Sequence, residues 1–176
     1  MKKILILITL SFFFSNISFA AGGSGGGESG GSGGSSGGSG GEGKILSSYD
    51  KAVKLINSAK KYEKKNKLKK AEKKYEKAQK LLIKSNKKKP NKADTLNYLG
   101  FTTRKLGDFE NGEKYYLEGL ALEPNHIGIN EYLGELYVVT NRIDLAKERL
   151  KVLSNCGCEE YNELKEIIAG TKKSKY

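Results

Sequence analysis

LNYLGFTTRKLGDFENGEKYYLEGLALEPN, Leu96 to Asn125, aligns with NEYLGELYVVTNRIDLAKERLKVLSNCGCE, Asn130 to Glu159, at a shift of 34 residues. Tyr98-Leu99-Gly100 falls on Tyr132-Leu133-Gly134, Phe109 on Ile143, Gly112 on Ala146, Tyr116 on Leu150 and Gly119 on Leu153. Self-similarity at such a period signals one supersecondary unit used repeatedly, because a single helical pair cannot bury its own apolar face and must stack on a neighbour. An earlier copy is displaced: Ala59, Tyr62, Leu68, Ala71, Tyr75 and Ala78 match Gly100, Thr103, Phe109, Gly112, Tyr116 and Gly119 at a shift of 41. The seven additional residues fall between Ala78 and Pro90. Seven residues make about two helical turns, and the stripe Leu68, Ala71, Tyr75, Ala78, Leu82 keeps its three-four spacing into them. This predicts an overlong helix from about Leu68 to Lys88, its lysine-rich end projecting past the stack.

The pattern resembles the tetratricopeptide repeat, a helix-turn-helix unit in which a small residue lets its first helix approach its second. The family's leucine-glycine step appears as Leu99-Gly100 and Leu133-Gly134, and its turn residue and following aromatic as Gly107 and Phe109. Its small residues appear as Gly112 and Gly119, its second-helix aromatic as Tyr116, and its closing proline as Pro124. Glycine where the family usually has alanine weakens that second helix by up to about 1 kcal/mol at each position. The resemblance implies an all-α solenoid of about three units, over residues 52–91, 93–126 and 127–158, within a domain spanning 44–176. After the third unit, CEEYNELKEII sets Tyr161, Leu164 and Ile168 on one face. This predicts a polar-backed capping helix over about 159–170, and thus seven helices in all.

The segments ahead of the repeats have another character. Residues 1–20 carry Lys2 and Lys3, an apolar run and a small-x-small end at Ser18-Phe19-Ala20, the pattern of a secretory signal peptide cut after Ala20. The run is interrupted by Ser15-Asn16 and is shorter than a membrane-spanning helix requires, so no transmembrane segment is expected after cleavage. Residues 21–43 comprise fourteen Gly, six Ser, two Glu and one Ala. With nothing to bury, such a segment is expected to be a disordered linker, its reach about 26 Å. An exported chain, periplasmic or secreted, follows from this reading.

Charge is concentrated rather than spread. Between Lys60 and Lys92 stand sixteen lysines against Glu63, Glu72 and Glu76. Such a helix attracts polyanions by long-range steering and counterion release, which for an exported chain means an anionic envelope surface. Nucleic acid is not expected, since Tyr62 and Tyr75 are taken up by repeat core positions.

Catalytic inventory is poor. The single histidine, His126, stands in a turn, no Ser-His-Asp set can be drawn from spacing, and no glycine-rich phosphate loop precedes a helix. No enzyme activity and no cofactor are expected. Cys156 and Cys158 flank Gly157 at the seam before the capping helix. A disulfide fixing this turn, a labile redox pair and a two-thiolate copper(I) site all remain open; a closed zinc set would need more ligands.

The resemblance points instead to a protein or peptide partner held in a concave groove. Groove positions of the family map onto Val53, Ile56, Lys60, Glu63 and Lys64 in the first unit and Asp94, Asn97, Phe101, Arg104 and Lys105 in the second. In the third they map onto Gly128, Glu131, Glu135, Val138 and Val139. Asn97, Phe101, Arg104, Lys105, Glu131, Glu135 and Val138 are the candidate contacts, and their mixed charge argues against a pure carboxylate clamp.

Overall fold

The computed structural model describes residues 46–174; the signal-peptide and linker expectations lie outside the described residues. Seven helices follow one another, with no strand among the described residues: α1 (Ser48–Lys64), α2 (Leu68–Lys88), α3 (Ala93–Lys105), α4 (Phe109–Leu122), α5 (Ile127–Val139), α6 (Ile143–Leu153) and α7 (Glu159–Ile168). The seven-residue insertion continues α2 by two turns, as the uninterrupted apolar stripe required.

Local chemistry sets the ends. Ser47 caps α1 in a reciprocal box, its Oγ accepting from Asp50 N at 3.1 Å while Asp50 Oδ2 accepts from Ser47 N at 3.1 Å. Asp108 caps α4 by accepting from Asn111 N at 3.1 Å. Hydrogen bonds from the Asn111 side chain and backbone hold the Asp108 carboxyl below the usual carboxylate range. Within each hairpin the turn passes through a left-handed residue at the same place in the unit: Asn66 (φ 54°), Gly107 (φ 92°) and Asn141 (φ 58°). These spacings repeat the two sequence shifts, so the turn obeys the same period as the apolar stripe. Asparagine and glycine supply that conformation with the least steric penalty.

α1 packs antiparallel on α2, α3 on α4 and α5 on α6, and the hairpins join through α2–α3 and α4–α5. The first helices α1, α3 and α5 also touch in sequence, whereas α2, α4 and α6 do not meet one another. Crowding on one side and splaying on the other curves the stack, with α1, α3 and α5 inside. One apolar cluster joins Ala52, Ile56 and Ala59 to Ala71, Tyr75, Ala78 and Leu82 and to Leu96, Leu99 and Phe101. A second joins Ala93 and Tyr116 to Ile129, Leu133, Leu136, Tyr137 and Ala146.

Gly100 shows why the small residue is needed. A Cβ there would lie 2.5 Å from Tyr116 Cε1, inside van der Waals contact, so α3 and α4 approach only because none exists. At the corresponding Gly134, the intruding side chain is not from α6. Leu164 of α7 lies 2.5 Å from where the Cβ would stand, while Leu150, aligned with Tyr116, is only half-buried. The space beside Gly134 is filled by the cap. α7 consequently leans on α5 as well as α6, and its buried pair is Leu164 and Ile167. Tyr161 and Ile168, expected to share the buried face with Leu164, are half-buried because this lean rotates the helix.

Candidate functional site

The seven candidate contacts lie on α3 and α5, the helices on the inside of the curve, and Phe101, Arg104, Lys105 and Glu135 share one network of contacts there. Their exposure differs from that of an open ligand surface: Asn97, Phe101, Arg104, Glu131 and Glu135 are buried, and Lys105 and Val138 half-buried. The reason is chemical pairing between repeats. Arg104 Nη1 donates to Tyr132 O at 2.5 Å and Nη2 to Glu135 Oε2 at 3.1 Å, tying α3 to α5. Lys105 Nζ lies 2.5 Å from Glu63 Oε1, tying α3 to α1. Glu63 Oε2 accepts in turn from Tyr75 OH at 2.8 Å, which anchors α2 to the same network.

Aromatic rings fill the space between these charges. Phe101 meets Tyr132 with ring centroids 5.1 Å apart and Tyr75 at 5.8 Å. Lys60 Nζ sits 4.7 Å from the Phe101 centroid and donates to Tyr132 OH at 3.3 Å, placing a cation against ring faces. Burial pushes the Tyr75 hydroxyl well up from its usual value, reinforced by Glu63, and pushes Tyr132 up in the same way with help from Glu131. The strip therefore combines cations, carboxylates and ring faces from all three repeats.

Val138 packs beside the second apolar cluster with Leu120 and Ile168. Tyr132 and Ser174, which sequence spacing did not single out, belong to the strip: Ser174 Oγ donates to Glu135 Oε2 at 3.3 Å. The repeat alignment marks Tyr132 as a shared position, but its contact with Lys60 depends on curvature, which spacing does not encode.

His126, expected as a plain turn residue, is the N-cap of α5. Its Nδ1 accepts from Ile129 N at 3.2 Å, which places the proton on Nε2, 3.2 Å from Asp94 Oδ1. Cys156 and Cys158 are joined as a disulfide, with Cα atoms 5.1 Å apart, bridged by Gly157 at φ 61°. The ring closes the α6–α7 connection, and Cys158 is itself the N-cap residue of α7, its N donating to Cys156 Sγ at 3.2 Å. Among the described residues no group of three or more His, Cys, Asp and Glu is placed to hold a metal ion. No described helix is long and apolar enough to cross a membrane.

Away from the strip, α2 presents Lys69, Lys70, Lys73, Lys77, Lys80, Lys84, Lys87 and Lys88 to solvent. Its added turns overhang a cavity of about 390 Å³, bounded by Ser47, Tyr49, Ser85, Lys88, Lys92 and Thr95.

No family model and no curated protein matches the chain. Among solved structures it is similar to the first TPR of Spaghetti (RPAP3) bound to HSP90 peptide SRMEEVD, with a TM-score of 0.50, 21% identity, and coverage of 70% of this chain and 94% of that one. It is likewise similar to the first TPR domain of the human RPAP3 protein, with a TM-score of 0.50, 21% identity, and coverage of 72% and 98%. At this identity the likeness speaks to fold, and it agrees with the paired helices, the repeated left-handed turn and the small-residue notches. The chain has the tetratricopeptide-repeat fold.

Proposed function

We propose that the protein is an exported, non-enzymatic scaffold that holds a segment of a partner protein along its concave face. The observation that carries this reading is the half-buried part of the strip, where Lys60, Glu63, Lys105 and Tyr132 bring cations, a carboxylate and a ring face together from all three repeats, above the buried Phe101 and Arg104–Glu135 pair. A neighbour of the same fold is bound to a peptide, SRMEEVD from HSP90. The mixed charge here favours a segment bearing both signs. Export is supported by the sequence of residues 1–20 and by the Cys156–Cys158 disulfide, since disulfides persist mainly outside reducing compartments.

Site-specific photocrosslinking in the native cell tests it. A photoreactive residue at position 60, 105 or 138 should capture one discrete protein, and the same residue at the exposed outer positions 118 or 148 should not. Equal capture from both sets, or none from the inner set, overturns the groove assignment.

The solvent-facing lysine row of α2 favours a second reading, attachment to an anionic envelope surface. Binding to vesicles containing anionic lipid should fall steeply with added salt, and absence of binding at low salt would dispose of it.

A further inference from the structure

The acidic end of the groove faces a segment of the same chain. After α7, Gly170 takes φ 74° and the backbone folds back, with Thr171 N and Lys172 N both donating to Glu166 O, at 3.0 and 3.3 Å. Lys172 Nζ reaches Glu163 Oε1 at 2.9 Å and Glu166 Oε2 at 3.9 Å. Two residues later, Ser174 Oγ donates to Glu135 Oε2 at 3.3 Å. Glu135 belongs to α5 on the inside of the curve, so by Ser174 the chain has crossed onto the concave strip.

Charge follows the same route. Glu131, Glu159, Glu160 and Glu163 surround Tyr132 in an acidic recess of about 200 Å³ contributed by α5 and α7. The segment from Thr171 onward, TKKSKY, carries three lysines and a tyrosine with no carboxylate side chain. The lean of α7 onto α5, set by Leu164 in the Gly134 notch, delivers Lys172 to Glu163 and Ser174 to Glu135 at the acidic end.

We propose that the chain's own segment Thr171–Ser174 is the resident ligand at the acidic end of the concave groove, and that an external segment gains full access only by displacing it. The proposal rests on the groove being the binding surface inferred above, yet self-docking is measurable without any external partner. A short tether holds the segment at an effective concentration on the order of 1 mM, so an intrinsic dissociation constant of roughly 0.1 mM would keep the groove about nine-tenths filled. A competing segment then binds about tenfold more weakly than to an emptied groove.

The test is titration of a fluorescent TKKSKY peptide into the full chain and into full-length Lys172→Glu, at low salt. The variant, its own segment repelled by Glu163 and Glu166, should bind the peptide about tenfold or more tightly than the unaltered chain does, and added salt should weaken that binding. A chain truncated after Gly170, if circular dichroism shows it folded, should bind as the variant does. Equal affinity for the unaltered chain and the variant, or no binding to either, overturns the proposal and leaves the segment as a helix terminus only. Peptide binding as expected with no crosslinked partner would sink the scaffold reading and leave self-docking standing.

Discussion

Arg104 Nη2 lies 3.1 Å from Glu135 Oε2 across the α3–α5 seam, and neither side chain has any solvent exposure. A buried pair of this kind contributes little beyond its desolvation, but removing one member leaves the other charge buried without its counter-ion from this pair. Arg104→Ala or Glu135→Ala should each lower unfolding free energy by about 3–5 kcal/mol, while Arg104→Met combined with Glu135→Leu should lose far less. Chemical denaturation of the three variants decides this, and additivity of the single losses would show that the pair is not coupled.

The tyrosines predict behaviour in alkali. Tyr75 and Tyr132 have hydroxyls raised above their usual value, first by burial and then by nearby Glu63 and Glu131 respectively. The folded state holds these protons more tightly than the unfolded chain, so their contribution is fully present below the ordinary tyrosine value of about 10. It is lost as pH rises from there toward the folded value. Stability should decline above about pH 10, and tyrosinate absorbance from these rings should appear with the loss of helical signal rather than before it.

Tyr116 offers a gain. Its ring is fully buried beside Gly100, and its hydroxyl has no hydrogen-bond partner among the described residues. An unsatisfied buried hydroxyl is penalised by about 1–3 kcal/mol. Tyr116→Phe should therefore raise stability by about 1 kcal/mol, and a loss of stability in thermal denaturation would show that the hydroxyl is satisfied in solution.

His126 should behave as a cap. His126→Ala removes the acceptor for Ile129 N and should cost about 1 kcal/mol. His126→Asn, which places another good acceptor there, should recover most of it. If alanine and asparagine prove equivalent in denaturant midpoint, the cap contributes nothing.

The disulfide closes a loop of only three residues, Cys156 to Cys158. Loop-closure entropy then predicts a modest loss of about 1–2 kcal/mol in a Cys156→Ser, Cys158→Ser variant. Melting curves in the presence and absence of reductant should differ for the unaltered protein and coincide for the variant.

Legibility in the sequence followed the range of the interactions concerned. The insertion in α2 was readable because three-four apolar spacing is a property of one helix, and the left-handed turns at Gly107 and Asn141 keep the repeat's period. The groove positions could be gathered onto one strip by analogy, but not their burial. Arg104 meets Glu135 and Lys105 meets Glu63 only once the hairpins curve, and curvature sums small rotations at each interface. The buried face of α7 was read at Leu164 and, in part, at Tyr161 and Ile168, but Ile167 was missed, because its burial depends on how α7 sits against both α5 and α6. The cap by His126 was hidden because histidine is an unusual acceptor there.

The occupation of the Gly134 notch by Leu164 also sets the direction in which such an array can grow. A further hairpin placed directly behind α6 would need that space for its own packing, so growth at this end requires displacing Leu164 and with it the cap.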